Sequence, residues 1–205
     1  MPPSDIYAPP TASVAGPTPA EISAKAKGEA VLAGIGQRIG ATLMDWLILV
    51  PYFVFDVYVS GLHRLAGVGT NVLYLLLALI LNVGLVYRYG GSPGKLVLGL
   101  RVRLANGAPV TFKAAFMRYS VYWLATLALT VGQSLTILSM PDNSFLAENY
   151  MARITMVSAR APAWYAAVEY TMWAWAFACF ISLLVTKRRR ALYDFQAGTI
   201  VVRPL

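Results

Sequence analysis

Gly34-Ile-Gly-Gln-Arg38-Ile-Gly-Ala-Thr-Leu-Met-Asp45-Trp-Leu-Ile-Leu-Val50 leads with an arginine into a long apolar run and then places a carboxylate inside it. A carboxylate at the centre of a membrane helix costs about 2.5–3.5 kcal/mol on insertion scales, so an acid in such a run is expected to have a partner or a task. Arg38 is the nearest partner in sequence. Seven steps of about 100° return to within about 20° of the starting face, which puts Arg38 and Asp45 on one stripe two turns apart. Asp56 falls near the same stripe, so Arg38, Asp45 and Asp56 are expected to form a polar line down an otherwise apolar helix.

The rest of the chain explains why that helix is a membrane helix. Of its 205 residues 58% are hydrophobic and only 13% charged, a balance outside that of soluble domains. The apolar residues cluster into four runs, 39–59, 71–87, 119–139 and 164–185, long enough to cross about 30 Å of hydrocarbon as helices. Alternating polar and apolar residues, the mark of a membrane barrel, do not occur in these runs. The expected fold is an all-α membrane protein with four transmembrane helices.

A net charge of +8 suggests nucleic acid in a soluble protein, but here the basic residues sort by loop. Fourteen of the seventeen precede the first run, lie between the second and third, or follow the fourth; only Arg64, Arg153 and Arg160 lie in the other two loops. The positive-inside rule then puts both termini and the middle loop in the cytoplasm, and 61–70 and 140–163 outside, in a multi-pass protein of the cell (inner or plasma) membrane. The lipid bilayer is the expected partner, not nucleic acid. Cys179, alone within the fourth run, reads as a packing residue.

Residues 1–33 form a first region. Six prolines among Ala, Ser and Thr in its first twenty residues suit a disordered tail without a secretion signal, and 21–32 suit a short amphipathic surface helix. Residues 34–205 form the second, membrane region. Gly36 and Gly40 make a Gly-x-x-x-Gly pair suited to close helix packing, within the chain or in a homo-oligomer. Asn82 in the second run is as far from Arg88 as to lie at the level of Asp45 and hydrogen bond with it if the helices touch.

In the middle loop, Asn106-Gly107 is a hairpin signal between the strand-like stretches 98–104 and 109–112, and 199–203 has the same character. A small cytoplasmic hairpin or three-stranded sheet is expected. Thr111 suits the cap of a short surface helix over 112–118. Gly94-Lys95 does not complete a phosphate-binding loop, because no glycine stands five positions before Gly94 and no Ser or Thr follows Lys95. Towards the outer side, Gln133, Ser134 and Thr136 of the third run and Glu169 of the fourth come near the expected level of Asp56, as an outer polar cluster or as residues exposed at the interface. His63 lies near no other metal-ligating residue in sequence, so neither a metal nor a cofactor is expected.

Several of these motifs together resemble the RDD family of membrane proteins, named for one arginine and two aspartates. The resemblance is carried in order by Arg38 to Asp45, by Gly91-Ser-Pro-Gly-Lys-Leu-Val-Leu-Gly-Leu-Arg-Val102, by Asn106-Gly107, by Arg118, and by Arg190-Ala-Leu-Tyr-Asp194-Phe-Gln-Ala-Gly-Thr-Ile-Val-Val202. It implies that Arg38 is the family arginine and that Asp45 and Asp194 are its aspartates. Tyr193 stands where many members have histidine. The resemblance also implies transport, including cation/proton exchange. Two functions stay open on the residues: a small transporter or transport component in which Asp45 exchanges a proton or monovalent cation, and an accessory protein whose Arg38–Asp45 pair serves assembly with another membrane protein. No nucleophile with a base and no cofactor loop points to an enzyme.

Overall fold

The computed structural model describes residues 31–203 except 147 and 187. The described residues open with a short strand, β1 (Val31–Leu32), and enter α1 (Ile35–Val59). A tight turn leads to α2 (Arg64–Leu79), which continues through a π-helical turn, Ile80–Gly84, into α3 (Leu85–Tyr89) as one rod. Gly90, left-handed at φ +76°, ends it. A short helix, α4 (Pro93–Val97), and a strand, β2 (Arg101–Leu104), precede α5 (Phe112–Ser139). The loop beyond carries α6 (Asp142–Leu146) and α7 (Tyr150–Arg160), and α8 (Ala163–Val185), α9 (Leu192–Gln196) and β3 (Thr199–Arg203) follow. The fold is therefore mostly helical, with four helices among the described residues long and apolar enough to cross a membrane. Their outward faces carry exposed Leu43, Leu47, Val54, Leu76, Phe177 and Val185, side chains that hydrocarbon solvates and water does not.

All three strands gather at one end of the bundle, in the antiparallel order β1-β3-β2. Val31 pairs with Arg203, and β2 runs from Arg101 opposite Val202 to Leu104 opposite Thr199. Val102 and Val201 face inward and join Ala41, Val86, Leu100 and Ala115 in a core where the sheet meets the helices. A second, smaller core at the opposite end joins Ile137 and Met140 to Phe145 and Val157 of the α6–α7 loop. These two ends are called below the sheet end and the loop end.

The C-terminal segment takes its expected place beside β2, but the sheet differs from expectation in its third strand. The turn at Asn106-Gly107 forms, with Gly107 at φ +86° and the Asn106 side chain accepting from the Ala108 amide at 3.1 Å. Beyond it only Pro109 bridges back, to Arg103, so 109–112 is not a strand. Proline lacks an amide donor for the ladder, and Thr111 already caps α5, its hydroxyl accepting from the Ala114 amide at 3.2 Å. That helix runs unbroken to Ser139, so the expected surface helix over 112–118 is instead the first two turns of the third span. The third strand is Val31–Leu32, the end of the stretch expected as a surface helix, which pairs with β3 instead. Residues 1–30, with the expected tail and most of the expected helix over 21–32, lie outside the described residues.

Candidate functional site

Asp194 lies at the sheet end, on α9, and is 0% exposed. Its Oδ2 accepts from Arg38 Nη1 at 2.9 Å and from the Ala191 amide at 3.2 Å. Its Oδ1 meets Arg118 Nη1 at 2.7 Å and accepts from the Thr199 hydroxyl at 3.1 Å. Arg118 also donates to the Thr199 hydroxyl at 3.2 Å and stacks over the Tyr193 ring. One carboxylate thus ties α1, α5, α9 and β3 together, with two guanidiniums supplying the charge that its burial demands. Burial, and then the Asp194 charge, push the Tyr193 phenol above its ordinary pKa, so it stays neutral beside the cluster.

Asp45 is held separately. Its Oδ2 accepts from the Ser92 hydroxyl at 2.7 Å, and its Oδ1 accepts from the Gly94 amide at 2.6 Å. Lys95 Nζ lies 3.9 Å from Asp45 Oδ2 and donates to Ser92 Oγ at 2.9 Å. Ser92 is the N-cap of α4 and Pro93 its first residue. Asp45 therefore caps α4 from a neighbouring helix, satisfying an amide that the helix itself leaves free. Gly94 makes this contact feasible: a Cβ there would overlap the Ala41 carbonyl oxygen and the Asp45 backbone. The same cap accounts for Gly94-Lys95 without a phosphate.

The expected Arg38–Asp45 pair is thus replaced by two separate attachments, and the reason is reach. Seven residues span about 10 Å along a helix, and helical side chains lean towards the N-terminus, so Arg38 extends away from Asp45. Arg38 meets Asp194, far along the chain, while the shorter Asp45 meets α4 alongside it.

Of the polar line expected along α1, Asp45 and Asp56 share a cavity wall, whereas Arg38 turns away to Asp194 and does not line it. A cavity of about 660 Å³ is lined by Asp45 and Asp56 of α1, Asn82 of the π turn, Gln133 of α5, and Lys95, Arg118 and Tyr193 at its sheet end. Asn82 donates to the Ala78 carbonyl at 3.0 Å, within its own helix, and not to Asp45. At the loop end Asp56 Oδ2 accepts from the Tyr150 hydroxyl at 2.6 Å. Burial, then that hydrogen bond, raise the Tyr150 pKa, so the phenol keeps its proton and donates it. Asp56, Asn71, Gln133 and Tyr150 line both this cavity and a smaller one of about 180 Å³ under α6 and α7.

The expected outer cluster is only partly brought together. Gln133 donates to the Tyr165 hydroxyl at 2.8 Å and shares the cavity with Asp56, whereas Thr136 donates to the Gly132 carbonyl of its own helix. Glu169 is exposed on α8 and lines neither cavity. His63 caps α2 through Nδ1 and lies 3.5 Å from Asp142, which also pairs with Arg64 at 2.7 Å. Thr199, Ser92 and Tyr150 were not singled out by the sequence reading; only the Ser-Pro-Gly order, a helix-start signature in search of an acceptor, signalled any of them.

The sequence matches the RDD family over residues 32–198, most of the chain. The chain belongs to the RDD family. No curated protein and no solved structure is similar enough to add to that assignment. The matched stretch contains Arg38, Asp45 and Asp194, and in this RDD protein Arg38 binds Asp194 while Asp45 caps α4. Family membership and the four apolar helices make the chain an integral, multi-pass membrane protein in contact with lipid.

Proposed function

We propose that this RDD protein is a small transporter, or a transport component, that exchanges protons or monovalent cations through Asp45. The observation that carries the proposal is the cavity. It extends from Asp45 and Lys95 at the sheet end to Asp56 and Gln133 at the loop end, and Asp45 stands on its wall with a side chain 23% exposed. Asp45 and Asp56 are eleven residues apart, about 16 Å along α1, so the two acids mark much of the depth of the hydrocarbon.

In this reading α4 couples to the charge state of Asp45. As a carboxylate, Asp45 accepts from Ser92 and from Gly94 and faces the Lys95 ammonium. A proton or cation arriving on Asp45 competes with those donors and loosens the cap of α4, a helix packed along α1. In this reading the sheet end is cytoplasmic, because the basic residues flank it, and the host is the cell membrane. Four spans are few for a carrier, which favours a homo-oligomer or a second membrane protein as partner.

A second reading, an accessory protein, draws on Asp194: its cluster is saturated with donors and serves assembly under either function. Flux from proteoliposomes, scanned over Na⁺, Li⁺, K⁺ and H⁺, separates the two. Transport through Asp45 predicts measurable exchange that Asp45→Asn abolishes while the protein stays folded. Absence of flux for every ion, or unchanged flux in Asp45→Asn, rejects it.

A further inference from the structure

The cavity is far larger than a bare monovalent ion requires, and its volume of about 660 Å³ lies inside the range of about 300–1,000 Å³ typical of sites for organic ligands. Its wall is aromatic: Trp46, Tyr52, Tyr74, Tyr119, Tyr122 and Trp173 all line it. Four charged residues stand among them, namely Asp45, Asp56, Lys95 and Arg118. Three are accounted for, since Lys95 lies 3.9 Å from Asp45 and Arg118 2.7 Å from Asp194.

Asp56 differs. Among the described residues its side chain is bound only by the neutral Tyr150 hydroxyl. Arg153, across the smaller chamber, instead donates to the Ser60 carbonyl at 3.1 Å and lies over the Phe145 ring. The cavity therefore holds one carboxylate without a cation, beside Tyr52 and the Tyr74 ring packed on it at 5.5 Å. A carboxylate in low dielectric demands a counter-charge, and aromatic faces attract cations whose weak hydration lets them leave water.

The side of the cavity suits the same class of ligand. Trp46 of α1 and Trp173 of α8 line it and are themselves more than half exposed on membrane-spanning helices, within reach of an amphipathic molecule dissolved in the bilayer.

We infer that the cavity binds a hydrophobic organic cation, its charge beside Asp56 and its apolar body along the Trp46–Tyr52–Tyr74–Tyr119 wall. This deepens the transport reading and rests on it for the ligand's passage, whereas binding itself is measurable apart from flux.

The test uses the full chain in phosphatidylcholine nanodiscs, with empty discs as the blank. Binding of radiolabelled tetraphenylphosphonium is measured by equilibrium dialysis, beside neutral triphenylphosphine oxide and anionic tetraphenylborate. Saturable binding of the cation, at least tenfold tighter than of the neutral compound or the anion, is expected. Asp56→Asn weakens it at least tenfold, Asp56→Glu restores it to within about threefold, and Glu169→Gln, at an exposed acid outside the cavity, leaves it unchanged. Binding no greater than to empty discs, equal binding of the three probes, or equal affinity in Asp56→Asn overturns the inference. The probe comparison needs no variant, so it stands even if Asp56→Asn does not fold. Inorganic-ion flux without phosphonium binding rejects this ligand class and leaves the transport reading standing; phosphonium binding without any flux does the reverse.

Discussion

Asp194 and Asp45 both lie in the stretch that matches the RDD family, and their surroundings divide them. Asp194 is fully buried and holds four donors, from α1, α5, β3 and the N-cap of its own helix, two of them guanidiniums. Asp45 is 23% exposed, holds one hydroxyl and one amide from a single short helix with one ammonium, Lys95, at 3.9 Å, and borders a cavity. The first arrangement leaves nothing to bind and everything to lose, because each donor is itself anchored. The second leaves a carboxylate whose partners can be exchanged for a ligand at modest cost. Charge in a membrane helix therefore does not by itself mark a transport site; the number and charge of its partners separate a tie from a ligand-facing group.

The largest expected effect is at the tie. Asp194→Asn removes the carboxylate that pairs with both Arg38 and Arg118, which are 6% and 8% exposed, and strands two buried charges. Breaking such a buried cluster costs about 3–5 kcal/mol, so the melting temperature in detergent should fall further than for any other substitution considered. A melting temperature unchanged by Asp194→Asn would falsify the contrast drawn between the two acids.

Next comes the seat of α4. Gly94→Ala places a methyl group against the Ala41 carbonyl and 2.8 Å from the Asp45 nitrogen, backbone atoms that cannot rotate aside. Overpacking costs about 1–3 kcal/mol, and here it also prises α4 from the Asp45 carboxylate. The expected outcome is a protein less destabilised than Asp194→Asn yet as poor in flux as Asp45→Asn. Normal flux with normal melting would mean that α4 does not need its close seat on α1.

Much of this was legible beforehand because it rests on local chemistry. Runs of apolar residues required four spans, the Asn106-Gly107 turn and the β-branched 199–203 segment announced a sheet, and the spacing of Asp45 and Asp56 put them on one face. What escaped depends on contacts between distant segments. Arg38 and Asp194 are 156 residues apart, and helical periodicity can rank partners only along one helix. Val31–Leu32 is too short to register as a strand until β3 lies beside it. The Ser92–Gly94 cap needed a carboxylate 47 and 49 residues earlier, and the cavity's aromatic wall draws on every span, so neither had a local pattern to show.

The smallest expected effect is the most informative about pairing. If Arg38 and Asp45 were mutual partners, Arg38→Gln and Asp45→Asn would rescue one another; held by Asp194 and by α4 respectively, they should not. Asparagine at 45 keeps a carbonyl oxygen for the Gly94 amide and caps helices about as well as aspartate, so Asp45→Asn should cost under about 1 kcal/mol in stability. Arg38→Gln should cost more, since it leaves Asp194 with one guanidinium. For sites without shared partners the two losses add within about 0.3–0.5 kcal/mol, whereas Arg38→Gln with Asp194→Asn, two members of one network, should show a coupling of about 0.5–3 kcal/mol. Both cycles can be read from the same detergent melting curves. A larger coupling for Arg38 with Asp45 than for Arg38 with Asp194 would mean that the arginine exchanges aspartates in solution, and would turn the tie at the sheet end into a moving part.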